Sequence, residues 1–452
     1  MNLIGISRMT FAWCCLWFAL SPVSGQAALN INFGQIFGAG LRASTIAAGD
    51  LNGDGALDLA IANIYGNSIT IAYNNGSARF AKLEEIPLAG GVQHPVAVAA
   101  GDLNGDGLVD LAAVQVQYID NTITPLRDSG VVFFFNQGDG TFSQSVMDVR
   151  GVPSSALIAD INSDGQNDVI VGNNGETSFD FVGTGDIVQF DAGVDLFLNQ
   201  GNNTFAASQS LDADGSVVDV AVLDYNHDGM MDVVGINQGT PSIDPIQLIL
   251  TVSNPGITLF PGTAAGVKTL GTTGVKYMPW SMGFGDFDKD GNADLAITLV
   301  GKSDPTNFLS FLGQDASVEL YRNTGSGYAW WKSVPMPGVA YSVQVHDYDL
   351  DGDDDLAVTV QEIIVRVDGN ELVPSLRLFE NDGQGGFTET GSLSLQEEPR
   401  YACQGDFDND GDADLAVLCS IQDSSGIQNA VYGQAYVFIN DALTGVVEWE
   451  LY

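Results

Sequence analysis

The sequence predicts an all-β fold closed into a ring: a seven-bladed β-propeller with four antiparallel strands in each blade. Three observations predict it. One nine-residue acidic loop recurs seven times, with its first aspartates 52, 58, 64, 62, 61 and 59 residues apart. A second signature, a strand broken by an Asn/Gly turn, alternates with that loop, and no helical periodicity occurs anywhere. A period near sixty kept seven times means one supersecondary unit repeated, and radial packing of such units hides most sheet edges.

The loops come first in each unit. They read DLNGDGALD (50–58), DLNGDGLVD (102–110), DINSDGQND (160–168), DYNHDGMMD (224–232), DFDKDGNAD (286–294), DYDLDGDDD (347–355) and DFDNDGDAD (406–414). Oxygen-bearing side chains at positions one, three and five of a tight turn can point at one centre. Glycine at position six permits the sharp turn. This is the chemistry of Ca²⁺, a hard cation that takes six to eight oxygens at about 2.3–2.6 Å. Position seven varies freely, as a backbone-carbonyl ligand allows, and the aspartate at position nine would close the sphere with both oxygens.

The expected ligands are therefore Asp50, Asn52, Asp54, Ala56 and Asp58, then Asp102, Asn104, Asp106, Leu108 and Asp110. Next come Asp160, Asn162, Asp164, Gln166 and Asp168, then Asp224, Asn226, Asp228, Met230 and Asp232. The last three sets are Asp286, Asp288, Asp290, Asn292 and Asp294; Asp347, Asp349, Asp351, Asp353 and Asp355; and Asp406, Asp408, Asp410, Asp412 and Asp414. Up to seven Ca²⁺ are expected. The helical EF-hand closes with Glu at position twelve. Here the closing acid arrives at nine and is followed by a short β-branched apolar run, so the loop joins two strands.

The turn signature follows: VVFFFNQGDGTF (131–142), VDLFLNQGNNTF (194–205), VELYRNTGSGY (318–328), LRLFENDGQGGF (376–387) and a looser IAYNNGSARF (71–80). It reads as strand, Asn/Gly turn, strand. Each unit is thus strand a, acidic loop, strand b, a connection of variable length, strand c, turn, strand d. The fourth unit has a degraded turn, ITLFPGTAAGV (257–267). The stretch 29–37 (LNINFGQIF) looks like a strand d without its own unit. It is expected to pair beside 436–439 and 446–451, making the last blade a composite of both chain ends.

With its DxNxDG loops and NxGxGxF turns, the chain resembles the FG-GAP/VCBS repeat proteins, including the propeller of integrin alpha subunits and secreted bacterial proteins built from the same repeats. The resemblance implies the propeller fold and the metal loops across residues 28–452, one domain.

Formal net charge is −42, with 15 Lys+Arg against 57 Asp+Glu. Twenty-four of those carboxylates stand at positions one, three, five and nine of the loops. The balance argues against nucleic acid and anionic membranes, which need basic patches. Residues 1–27 read as a secretion signal. Arg8 precedes the apolar run MTFAWCCLWFAL, and small residues lead to cleavage near Ala27. The run is too short to span a bilayer, so no stable membrane insertion is expected and the protein is placed outside the cell or in the periplasm. Cys403 and Cys419 flank the seventh loop, as a cross-strand disulfide or as two buried thiols.

Length variation concentrates between strands b and c, at 115–130, 173–193, 237–256, 301–317, 361–375 and 420–435, with a short link only at 63–68. Alternating strand direction puts these connections, and those from d to the next a, on the face opposite the metal loops. Variable loops on a rigid scaffold are where binding usually resides. On that face Trp280, Tyr341, Arg400 and Tyr401, with His94, are the candidate contacts for an extracellular protein or glycan, and the d-to-a loops are expected to carry them. Packing between blades is the other reading of these rings. His227 and His346 are not placed as catalytic, and no catalytic residue is assigned. No nucleophile elbow, zinc-protease helix or Cys/His zinc spacing occurs. The expectation is a non-catalytic recognition or adhesion module. The alternatives are a carbohydrate-active lyase or hydrolase on the same scaffold, and a structural subunit.

Overall fold

The computed structural model describes residues 31–89, 94–116, 129–179, 187–190, 192–243, 250–263, 266–301, 303–304, 307–311, 315–364, 371–420 and 432–441. The signal segment 1–27 and the expected strand 446–451 lie outside them.

Seven four-stranded antiparallel sheets form the blades. Blade 1 orders Ala43–Gly49, Asp58–Asn63, Ser68–Asn74 and Phe80–Pro87 as strands a to d. Blade 2 has His94–Gly101, Asp110–Val116, Gly130–Asn136 and Phe142–Asp148. Blade 3 has Pro153–Ala159, Asp168–Asn173, Gly193–Phe197 and a short Gln209–Asp212. Blade 4 has Val217–Leu223, Asp232–Asn237, Gly256–Phe260 and Gly271–Gly274. Blade 5 has Pro279–Gly285, Asp294–Leu299, Ser317–Asn323 and Tyr328–Pro335. Blade 6 has Gly338–His346, Asp355–Ile364, Glu371–Asn381 and Phe387–Ser394.

Blade 7 closes the ring. Its strands a to c are Glu398–Gly405, Asp414–Ser420 and Tyr432–Asn440, and its outer strand is Ile31–Leu41 from the other end of the chain. Ile31 pairs with Asn440 and Phe37 with Ala435, antiparallel. The composite blade expected from the sequence is therefore present for 31–41 and 432–440.

The core is divided seven ways. Each apolar cluster sits between two consecutive sheets, and one of them joins blade 7 to blade 1 through Phe37, Ile46, Leu59, Phe407, Leu418 and Val437. Strand b is sandwiched on both faces and is wholly buried in every blade but the sixth, where its extended far end emerges. That is why its sequence is a continuous run (DLAIAN, DVVGIN) rather than an alternation. Outer strands alternate, as Phe80–Pro87 does over its second half, with Leu83, Glu85 and Pro87 exposed and Glu84 and Ile86 half-buried between them.

Several b-to-c connections rise into two-stranded ribbons: Glu176–Phe179 with Ile187–Phe190, Thr240–Ile243 with Leu250–Ser253, and Ser303–Asp304 with Asn307–Phe311. In blade 6 the ribbon is a direct continuation of strands b and c. Among the described residues no helix is long and apolar enough to cross a membrane.

One open alternative is decided and one expectation is corrected. Cys403 and Cys419 are free thiols, the first half-buried and the second buried. Cys403 lies opposite Ala416, three residues from Cys419, and an odd offset puts the two side chains on opposite faces of the sheet. The second concerns Trp280, Tyr341, Arg400, Tyr401 and His94, expected in d-to-a loops. All five lie within strand a, because each blade begins pairing well before its acidic loop.

Candidate metal centres

Each acidic loop is a nest of backbone donors wrapped around its own carboxylates. In blade 1 the Asp50 carboxylate accepts N–H groups from Gly53, Asp54 and Gly55, at 2.7, 3.1 and 2.9 Å. Asn52 Oδ1 accepts from Asp54 N–H, and Asp54 Oδ1 from Ala56 N–H. The bond from the glycine at position six to the aspartate at position one recurs in all seven loops at 2.8–3.1 Å. That glycine has φ between 84° and 99° throughout, a left-handed turn that a Cβ disfavours.

Position four is left-handed as well, and in five loops it is not glycine: Ser163, His227, Lys289, Leu350 and Asn409. Its side chain reaches the neighbouring blade. His227 Nε2 lies 3.0 Å from Asn292 Oδ1, and Lys289 pairs with Asp353, each contact running to position seven of the next loop.

The aspartate at position nine begins strand b and is almost fully buried in every blade. In all seven blades its Oδ1 accepts the N–H of a residue at the end of strand c or two residues past it: Asn74, Asn136, Asn199, Gly262, Asn323, Asn381 or Asn440. In six blades its Oδ2 also accepts the N–H of loop position two. Both oxygens thus already hold the loop to the sheet, each with a lone pair to spare.

The strand-c asparagine makes a further bond, which the sequence reading missed. Its Nδ2 donates to the carbonyl at loop position two of the preceding blade. The pairs are Asn74 to Phe407, Asn136 to Leu51, Asn199 to Leu103, Asn323 to Tyr225, Asn381 to Phe287 and Asn440 to Tyr348, at 2.6–3.2 Å. Blade 4 lacks this strap because Gly262 stands in the asparagine's place.

Burial drives the position-nine carboxyls above their ordinary value of 3.8. Asp58, Asp110 and Asp168 rise to about 6, and Asp355 and Asp414 to about 7. Backbone N–H bonds oppose the rise, and neighbouring aspartates of the loop add to it. Like charges are therefore packed where water screens them poorly.

Carboxylate oxygens of Asp286, Asp288 and Asp290 come within 4.8 Å of one another, as do those of Asp347, Asp349 and Asp351, and of Asp406, Asp408 and Asp414. Asp288 Oδ1, Asp294 Oδ2 and Asp408 Oδ1 are buried with no hydrogen-bond partner. Hard oxygen donors, converging and partly unsatisfied, fit a divalent cation in these loops.

On the opposite face three of the candidate contacts form one cluster. Trp280, Tyr341 and Arg400 each stand six residues before their loop's first aspartate, in blades 5, 6 and 7, so equal register makes them neighbours. Trp280 meets Tyr341 edge-on with ring centres 5.9 Å apart. The Tyr341 hydroxyl donates to Glu398 at 2.7 Å, and Arg400 Nη2 donates to the same carboxylate at 2.8 Å. The Arg400 guanidinium lies 5.6 Å from the Tyr341 ring centre. Tyr341 and Trp280 also pack with Val300 and Val339 between blades 5 and 6, and Tyr401, one residue on from Arg400, packs against the core between blades 7 and 1, so the inter-blade reading of these rings holds for all three.

Residues 50–113 match the FG-GAP-like repeat family. That stretch runs from the first acidic loop through the second, so the family's unit straddles blades 1 and 2, and its order of elements recurs around the ring. No curated protein matches the chain.

Proposed function

We propose that this propeller of FG-GAP-like repeats is a secreted, calcium-stabilised module for extracellular recognition, binding a protein or glycan through the face opposite its acidic loops. The observation that carries the reading is the convergence of buried loop carboxylates, three of whose oxygens lack any partner. Ca²⁺ held by positions one, three, five and nine and by the position-seven carbonyl would supply the missing positive charge. The chain's own residues do the rest. Backbone N–H groups orient the carboxylates, and position nine carries that order into strands b and c.

The other face supports the binding half of the reading. The b-to-c ribbons and the cluster of Trp280, Tyr341 and Arg400 belong to that face. Tyr341 is 6 % exposed and packs with Trp280 between blades 5 and 6, so the partly exposed Arg400 guanidinium is the group this cluster offers a ligand.

Extracellular calcium sites commonly bind at about 10⁻⁴–10⁻³ M. Ligand at tenfold excess over Kd stabilises by about 1.4 kcal/mol per site, so several weak sites sum to a large effect. Chelation is expected to lower the melting temperature strongly, and restored Ca²⁺ to reverse the loss. Unchanged thermal unfolding in EDTA would remove the metal half of the proposal. A glycan array and an extracellular-protein array probed in millimolar Ca²⁺ test the recognition half, with Arg400→Ala expected to abolish the signal. Depolymerisation of an arrayed polysaccharide would instead assign a carbohydrate-active enzyme.

A further inference from the structure

One register position outside the seven acidic loops changes charge from blade to blade. It is the residue just before the one whose N–H binds the position-nine aspartate. The occupants are Tyr73, Phe135, Leu198, Pro261, Arg322, Glu380 and Ile439. Five are uncharged, one is a cation and one an anion.

The contact made from this position is explicit in blade 5. Arg322 Nη2 lies 2.7 Å from Oδ2 of Asp288, the third residue of the loop. The guanidinium is further held over the Trp331 ring, 3.9 Å from its centre. A fixed positive charge therefore already leans on one expected ligand.

Blade 6 reverses the sign. Glu380 occupies the same register, since Asn381 beside it caps Asp355 as Asn323 caps Asp294. Glu380 is only 4 % exposed, and its Oε1 has no hydrogen-bond partner. Its register is that of Arg322, which reaches position three of its own loop, and burial first, then like-charge repulsion from Asp349 and Asp351, raises its carboxyl. A buried carboxylate oxygen with no donor, set against two more carboxylates, is costly unless a cation joins them.

Blade 7 is the internal control. Its loop matches that of blade 6 with aspartates at positions one, three, five, seven and nine, whereas blade 5 has Asn292 at seven, and Ile439 at this register contributes no charge.

We propose that this position grades the cation sites: Glu380 adds a carboxylate that blade 7 lacks and makes blade 6 the tightest of the four-aspartate sites, while Arg322 makes blade 5 the weakest. The order is blade 6, then blade 7, then blade 5. The grading rests on the calcium reading above. Its physical basis is that oxygen-ligand affinity follows the charge count of the site. One unit charge a few ångströms away changes a divalent ion's affinity by about tenfold or more at the effective dielectric of a protein surface.

The test uses the mature, folded protein stripped of metal and titrated with Ca²⁺ against a chromophoric chelator, alongside Glu380→Gln and Arg322→Gln. Glu380→Gln is expected to weaken the tightest class about tenfold or more without changing the number of sites. Arg322→Gln is expected to tighten the weakest four-aspartate site by a comparable factor. Crystals of the wild-type protein loaded with substoichiometric Tb³⁺ give an independent readout that needs no variant. Anomalous density should fill blade 6 first and blade 5 last of the three. An unaltered tight class in a folded Glu380→Gln protein, or terbium filling blade 5 before blade 6, overturns the grading and leaves calcium binding intact. No binding of either ion overturns both.

Discussion

An aspartate at the end of each loop holds two pieces of backbone together while burying its own charge. That double duty has a cost that depends on pH. In the metal-stripped protein Asp58, Asp110 and Asp168 hold their protons up to about pH 6, and Asp355 and Asp414 to about pH 7, against an ordinary 3.8. A carboxyl raised on folding contributes stability that is present below 3.8 and lost as pH climbs through the folded value. The melting temperature in chelator is therefore expected to fall between about pH 4 and pH 7 and to level off above, and the fall to vanish with saturating Ca²⁺. A flat profile in chelator, measured by calorimetry, would count against this. The asparagine straps give a second expectation. Asn199→Ala leaves the Leu103 carbonyl and the Asn167 carbonyl without their buried donor and should cost about 1–3 kcal/mol in denaturant unfolding. The acids were legible in the sequence because their spacing is local. The straps were not, because Asn199 and Leu103 are 96 residues apart and the asparagine passes for a turn former.

Parity decides more than proximity once residues are gathered into strands. Cys403 and Cys419 sit on paired strands, yet a three-residue offset sends one into the core shared with blade 1 and the other into the core shared with blade 6. Burial raises both thiols, Cys403 to about 12. Reductant should leave the melting temperature unaltered, and iodoacetamide should label neither cysteine until the protein unfolds, as mass spectrometry would report. The same counting finds the far-face cluster. Trp280, Tyr341 and Arg400 share a register six residues before their loops, a signal available from sequence that a division into loops and strands obscured. Strand identity itself was legible throughout, since strand b is buried on both sides and so keeps an unbroken apolar run.

Seven interfaces between seven sheets mean that no blade is terminal. The ring's closure could be read in advance because the stretch 29–37 looks like a strand d with no unit of its own. Deleting residues 28–40 removes the outer strand of blade 7 together with Phe37 from the core against blade 1. The melting temperature of that shortened protein should drop by about 10 °C or more in scanning calorimetry, and an unchanged value would contradict the closure's importance. What the whole-chain pattern could not convey was how unevenly the blades are joined. Blade 4 has no asparagine strap to its predecessor, and a Cβ at Gly262 would lie 2.3 Å from the Met231 carbonyl oxygen. The gap cannot be filled by a simple return to asparagine.

The pairing of Asn32 with Asp441 spans 409 residues of chain. During synthesis at about 5–20 residues per second, the first strand waits roughly 20–80 s before its mate exists. Throughout that interval the growing polypeptide is an unlatched arc with an adhesive strand at its leading tip. A neighbouring nascent copy would offer the same tip the same docking groove, so correct assembly depends on each chain finding its own tail before it finds another's.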